Sequence, residues 1–101
     1  MFGFLNTLMG APSADLRELI ANGAVILDVR TKEEYAQGHI KNSVNIPLDK
    51  LAANIKKLNK SKVIITCCAS GARSSMAKGI LKQHGFEVHN GGGWNSLQRH
   101  C

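Results

Sequence analysis

Apolar and β-branched residues in this chain form four short runs, and between them apolar residues recur every three or four positions. Runs of this length bounded by Gly, Pro or Asn are typical of buried strands. They predict strands over 24–29, 43–46, 62–67 and 86–89. The third run is β-branched through its middle, so we expect it near the centre of a sheet.

The segments between the runs predict helices. One begins around Ser13, and a second begins at a Thr31–Glu34 capping box and ends before Gly38. Two more are expected over 49–58 and over the stretch that Gly85 closes, and a last short helix follows the glycines at 91–93. Strands that alternate with helices predict an α/β fold with a central, mostly parallel sheet of four to five strands and helices on both faces.

The length of 101 residues suits one small domain. We expect an N-terminal extension at 1–12, the α/β domain at 13–99 and a tail at 100–101. No apolar run approaches the roughly 20 residues of a membrane-spanning helix, so no transmembrane segment is predicted. Residues 1–12 contain no Lys or Arg, which makes a poor signal peptide.

The cysteines favour a reducing, cytoplasmic setting over a secreted disulfide framework. Their number, three, is odd, and two of them are adjacent in sequence. No Cys-x2-Cys pair or spaced Cys/His set indicates zinc, so neither a metal nor a cofactor is predicted.

The formal net charge is +6, and a cluster of lysines between positions 50 and 62 contributes to it. Aromatic residues do not interleave with these lysines, and no nucleic-acid-binding motif accompanies them. The cluster therefore indicates a solvated helix face and a polar turn, without nucleic-acid binding. The positive field favours a small anionic substrate.

Residues 66–75, TCCASGARSS, carry the candidate chemistry. A strand that ends in small residues and starts a helix directs several backbone N–H groups toward one point, and the helix dipole adds positive charge there. Such a nest binds a small anion and favours a cysteine thiolate at its start. Counted from Cys67 the stretch reads Cys-x5-Arg, the spacing of cysteine phosphatases; counted from Cys68 it reads Cys-x4-Arg.

Several segments resemble the rhodanese-domain sulfurtransferases. Residues 64–75 resemble that family's active-site segment, an apolar strand followed by Cys-x-x-Gly-x-Arg-Ser. Three further segments are similar to family motifs in the same order, and the resemblance covers about 13–99: ILDVR at 26–30, EYAQGHIKNSVNIP at 34–47 and GGGW at 91–94.

The resemblance implies a register for the loop. The family has Gly three residues and Arg five residues after the nucleophile, and Cys68, Gly71 and Arg73 satisfy both spacings. Cys67, at the end of a predicted strand, is expected to pack, and Cys101, in the tail, is expected to be idle. A six-residue loop implies a sulfane-sulfur substrate, whereas the phosphatases of this fold use a loop one residue longer.

The implied activity is that of a thiosulfate:cyanide sulfurtransferase. A small anionic donor such as thiosulfate passes its outer sulfur to Cys68, and the persulfide passes it to a thiol or cyanide acceptor. The loop would bind substrate mainly through its backbone, over the residues Ala69, Ser70, Gly71, Ala72 and Arg73. One alternative is a sulfur carrier that works with a partner protein. Another is a phosphatase or arsenate reductase that uses Cys67.

Supporting positions are expected around the loop. Asp28 ends a strand and is expected to be a structural partner of the loop, and Arg30 is expected to pair with Glu33 or Glu34. Ser74 is expected to cap the helix that follows the loop. Two further residues are expected to have structural roles: His39 in a hydrogen bond to the backbone, and Trp94 in the core.

Overall fold

A computed structural model of the protein describes residues 15–101. The predicted extension at 1–12 lies outside these residues, as do Ser13 and Ala14. The helices are α1 (Leu16–Ala21), α2 (Lys32–Gln37), α3 (Leu51–Asn54), α4 (Ala72–Gln83) and α5 (Trp94–Gln98). The strands are β1 (Val25–Asp28), β2 (Val44–Asn45), β3 (Ile64–Cys68) and β4 (Val88–Gly93).

The four strands form one parallel sheet in the order β2-β1-β3-β4. This confirms the predicted α/β fold and the inner position of β3. Because all strands run the same way, their carboxyl ends lie at one edge of the sheet, where open parallel sheets bind ligands. The segments that follow β1 and β3 therefore meet at that edge.

Two apolar clusters pack on opposite faces of the sheet. The side chains of β1 and β3 alternate between them, as the period of a strand requires. One cluster joins strand residues to α4 and to the segment after Pro47, and it includes Leu27, Ile64, Cys68, Ala77 and Leu81. The other receives α1 and α5, and it includes Ile26, Ile65, Cys67, Leu97 and the partly buried Trp94. Helices thus cover both faces, as predicted.

The helix predicted over 49–58 is broken into three short pieces. Two 3-10 turns, Leu48–Lys50 and Ile55–Lys57, flank the single α-helical turn of α3. Asn54 Nδ2 donates a hydrogen bond of 2.8 Å to the carbonyl of Lys50, four residues earlier. Asn side chains compete in this way with the backbone ladder and disfavour helix interiors.

The glycines at 91–93, expected between the last strand and the last helix, lie instead at the end of β4. Their pairing with β3 is irregular: Thr66 faces Asn90 and Cys68 faces Gly93, so β4 advances three residues while β3 advances two. A Cβ at Gly91 would lie 2.8 Å from Leu97 Cδ2 and 2.9 Å from the Thr66 carbonyl oxygen. Only glycine fits this close approach of strand, strand and helix.

The lysines at 50, 56, 57, 60 and 62 are all exposed, as the solvated-face interpretation predicts. No helix within the described residues 15–101 has the length and apolar character needed to cross a membrane.

Candidate active site

The candidate loop connects β3 to α4 at the carboxyl edge of the sheet. β3 continues through Cys68, one residue further than predicted, and α4 begins at Ala72. Gly71 is the residue before the helix and has a φ of +112°, in the left-handed region that favours glycine. This turn folds the backbone back over the end of β3. The side chains of Ala69, Ser70 and Ala72 are exposed, so these residues offer mainly backbone to the interior of the loop.

Cys68 Sγ lies at the amino end of α4, inside the loop. The N–H of Gly71 donates to it at 3.0 Å and the N–H of Ser74 at 3.4 Å. Burial raises the pKa of this thiol, but the Ser74 hydroxyl and the N–H groups of Ser74, Gly71 and Ser70 lower it, and the net pKa is below the ordinary value. The loop therefore favours a thiolate at Cys68.

Ser74 lies beneath the loop and does not cap α4, contrary to the prediction. It is fully buried at the third position of the helix, and its Oγ lies 3.5 Å from Cys68 Sγ. The same Oγ is 2.7 Å from Asn90 Oδ1 on β4 and 3.0 Å from the Gly71 carbonyl oxygen. A hydroxyl this close can accept from a thiol or donate to a thiolate.

Arg73 forms a two-point ion pair with Glu34 of α2. The distances are 2.7 Å from Nη1 to Oε1 and 3.0 Å from Nη2 to Oε2. Glu34 also accepts from the N–H and hydroxyl of Thr31, which confirms the capping box. The Arg73 guanidinium and the Thr31 N–H together lower the pKa of Glu34 to about 2. Arg73 thereby joins the start of α4 to the start of α2.

Asp28 and Arg30 pair with each other, which corrects both expectations for them. Arg30 Nη2 lies 2.7 Å from Asp28 Oδ2, and both side chains are buried. Arg30 also donates to the Gly38 carbonyl oxygen at 2.7 Å and lies over the Trp94 ring, 4.7 Å from its centroid. Residues two apart at the end of a strand face the same side, so Asp28 is closer to Arg30 than the helical acids are.

Cys67 lies on the other face of the sheet from Cys68. Its side chain is fully buried in the cluster that α1 and α5 cover. Burial, with a contribution from Asp28, raises the pKa of its thiol to about 12. A nucleophile at Cys67 is incompatible with this geometry, because the Cys67-x5-Arg73 interpretation requires a thiolate inside the loop.

The remaining candidates lie away from the loop interior. His39 Nδ1 lies 2.7 Å from the Tyr35 carbonyl oxygen, the predicted backbone hydrogen bond, and its ring stacks on that of Tyr35. Cys101 is exposed at the end of the chain, and all three cysteines are free thiols. No group of three or more His, Cys, Asp or Glu residues within 15–101 is placed to hold a metal ion.

A cavity of about 280 Å³ opens next to the loop. Arg73 forms one wall, and the others come from the ends of β1 and β2, lined by Val29, Thr31, Pro47, Leu48 and Asp49. Its position at the carboxyl edge of the sheet leaves room beside the loop for a small molecule.

Two residues of the site were not predicted from the sequence. The sequence predicted Glu34 only as part of the capping box. Its pairing with Arg73 was not predicted, because the two residues lie 39 positions apart. Asn90 carried no signal, since it precedes a glycine run and only its pairing with Thr66 in the assembled sheet brings it to Ser74.

Comparison with known proteins agrees with this architecture. The family described as "Rhodanese-like domain" matches residues 13–100. The thiosulfate sulfurtransferase PspE of Escherichia coli (strain K12) is 36% identical over 74 residues, which cover 70% of this chain and 71% of that protein. A solved structure of a rhodanese-related protein from Thermoplasma volcanium has a TM-score of 0.75 and 38% identity, and the match covers 86% of this chain and 87% of that one.

A further relative is part of a longer protein. YrkF of Bacillus subtilis (strain 168), which has the provisional name of a sulfur carrier protein, is 44% identical over 62 residues. That match covers 61% of this chain but only 34% of YrkF, so the chain corresponds to about a third of it.

Proposed function

The chain belongs to the rhodanese-like domain family, and from this premise we propose that it transfers a sulfane sulfur through a persulfide on Cys68. The observation that supports the proposal is the position of Cys68 Sγ, held by the Gly71 and Ser74 N–H groups at the amino end of α4. Those donors favour the thiolate, which is the reactive form of the nucleophile.

The reaction has two steps. The Cys68 thiolate attacks the outer sulfur of a donor such as thiosulfate, a bond forms between the two sulfurs, and sulfite leaves with the electron pair of the broken S–S bond. A thiolate or cyanide acceptor then attacks the terminal sulfur of the persulfide, and Cys68 leaves as a thiolate. No net oxidant or reductant is needed, because the same oxidised sulfur passes from donor to acceptor.

The loop backbone provides most of the anion binding in this scheme. Glu34 engages two of the five N–H groups of Arg73, so we assign most of the binding of the donor and the persulfide to N–H groups along Ala69, Ser70, Gly71 and Ala72. Arg73 then braces the loop, and the net charge of +6, which includes Arg73, attracts an anionic donor. A reducing compartment such as the cytoplasm would keep the free thiol at Cys68 available.

Thiocyanate formation from thiosulfate and cyanide tests the proposal. We expect activity in the wild type and in Cys67→Ala, and none in Cys68→Ala, with one added sulfur on Cys68 by mass spectrometry after incubation with thiosulfate alone. Alanine is the better substitution at Cys67, since a serine hydroxyl there would be buried among apolar side chains. Activity that survives Cys68→Ala would contradict the proposal.

A second candidate is a sulfur carrier that receives its sulfur from a partner protein. The similarity to YrkF favours it, and so does the Glu34 pair, which leaves the Arg73 Nη atoms less available to a free dianion. It predicts slow turnover with thiosulfate and rapid loading of Cys68 from a cysteine desulfurase persulfide. If mass spectrometry finds no added sulfur after incubation with either donor, both candidates are wrong.

A further inference from the structure

The Ser74 hydroxyl has one hydrogen and three neighbours that could receive it. Asn90 Oδ1 lies at 2.7 Å, the Gly71 carbonyl oxygen at 3.0 Å and Cys68 Sγ at 3.5 Å. The Gly71 carbonyl oxygen and Asn90 Oδ1 each accept one other N–H, from Ser75 and Gly92, so the shorter distance makes Asn90 the favoured acceptor. The hydroxyl hydrogen therefore points away from the sulfur.

The orientation of the Asn90 amide is set by a second hydrogen bond. The N–H of Gly92 donates to Asn90 Oδ1 at 2.9 Å, so the oxygen, and not the NH₂ group, must face Gly92 and Ser74. A carbonyl oxygen accepts two hydrogen bonds, and here Gly92 and Ser74 supply both. Ser74 itself is held in place by Thr66 of β3, whose Oγ1 donates to the Ser74 carbonyl oxygen at 2.9 Å.

We propose that Asn90 is a positioning residue that acts on the nucleophile through Ser74. By holding the hydroxyl hydrogen, Asn90 leaves a lone pair of Ser74 Oγ facing Cys68, where it accepts from the S–H of the resting thiol. When the thiolate forms, the hydroxyl must turn from Asn90 to the sulfur to donate to it, and the 2.7 Å hydrogen bond is lost. Asn90 thus opposes the thiolate that the backbone N–H groups favour.

Other charged or titratable side chains also influence the balance between thiol and thiolate at Cys68, and they come from every element around the loop. They are Arg73 on α4 with its partner Glu34 on α2, the Asp28–Arg30 pair from β1, and Cys67 on β3. On β4, the His89 ring faces Glu87 at 3.4 Å. None of these groups is altered by substitutions at Asn90.

The test is the pH dependence of Cys68 alkylation by iodoacetamide, in a Cys101→Ser background. Asn90→Ala frees the hydroxyl, and we expect the midpoint to move to lower pH by up to about one unit, or tenfold in the ratio of thiolate to thiol. Asn90→Asp keeps an acceptor for Gly92 and Ser74 and adds a negative charge, so its midpoint should move to higher pH by about one unit. Asn95→Ala, an exposed asparagine on α5, is the matched control and should leave the midpoint in place.

If the role of Asn90 were purely structural, Asn90→Ala and Asn90→Asp would move the pH midpoint of alkylation in the same direction. That result would overturn the proposal. So would an undiminished effect of Asn90→Ala in a Ser74→Ala background, because the effect must pass through the hydroxyl. The inference rests on the proposed role of Cys68. Alkylation nevertheless reports on the thiol whether or not sulfur is transferred, so failure of this inference is distinguishable from failure of the proposed function.

Discussion

Arg73 and Glu34 bind each other through both Nη atoms and both carboxylate oxygens, at 2.7 and 3.0 Å, across 39 positions of sequence. Glu34 simultaneously completes the capping box of α2. One carboxylate therefore holds the start of two helices, one of which carries the candidate loop. A fixed, two-point pair with further hydrogen bonds contributes more than an isolated surface ion pair does.

The lowered pKa of Glu34 predicts a pH-dependent contribution to stability. Its folded pKa of about 2 lies below the ordinary value of 4.5, so the contribution is present above pH 4.5 and is lost as the pH falls toward 2. Glu34→Gln keeps the capping box but removes the charge. We expect its urea midpoint to lie below that of the wild type near neutral pH and to approach it in acid. Glu33→Gln, in the same helical turn, is the control; an equal effect there would show that the pair with Arg73 is not the cause.

Cys67 should be inert in the folded protein. Its thiol is fully buried and has a pKa of about 12, whereas Cys101 is exposed. Mass spectrometry after iodoacetamide treatment at mildly alkaline pH should find label on Cys68 and Cys101, and on Cys67 only after denaturation. Labelling of Cys67 at the rate of Cys101 in the native protein would contradict the placement of the two adjacent cysteines on opposite faces.

Breaking the Asp28–Arg30 pair should be strongly destabilising. Asp28→Asn removes the charge that compensates a buried guanidinium, and loss of one partner of such a pair costs about 3–5 kcal/mol of unfolding free energy. Asp49→Asn, at an exposed carboxylate, should change the unfolding free energy by less than about 0.5 kcal/mol. Urea denaturation of both variants measures the difference, and similar values for the two would be inconsistent with a buried pair.

Two glycine substitutions should have opposite effects on stability. A Cβ at Gly91 would meet Leu97, Ile65 and the Thr66 carbonyl within 2.9 Å, so Gly91→Ala should cost about 1–3 kcal/mol. Gly79 lies inside α4, and a Cβ there would meet nothing within 4 Å, so Gly79→Ala should stabilise the protein by up to about 1 kcal/mol. Thermal unfolding of both variants tests this; a stabilising Gly91→Ala would contradict the tight packing of β4.

The features predicted correctly from the sequence depend on local patterns. The strand runs, the capping box at Thr31 and the loop before α4 each follow from residues within a few positions of one another. Periodicity also predicts that Cys67 and Cys68 face opposite sides, since neighbours on a strand always do. The same alternation, continued past the end of β1, places the side chains of Asp28 and Arg30 on one side of the sheet, where they pair.

What could not be predicted are contacts that only the assembled sheet creates. Glu34 reaches Arg73 because α2 and α4 both begin at the same edge of the sheet. Asn90 reaches Ser74 because β4 lies beside β3, where Asn90 pairs with Thr66 and Thr66 contacts Ser74. Helix propensity was also overridden at 49–58, where the Asn54 side chain competes for a backbone carbonyl.

Because β4 contains one extra residue, the glycine segment fixes the distance along the chain between Asn90 and the start of α5. Between the pairs Thr66–Asn90 and Cys68–Gly93, three steps on β4 span two on β3, and after the surplus step Gly93 returns to the ladder close to the Ala69 carbonyl oxygen. Removing one glycine would restore regular pairing and draw α5 and Trp94 back by one position. The number of glycines, as much as their flexibility, therefore determines where α5 and Trp94 lie relative to the end of β3.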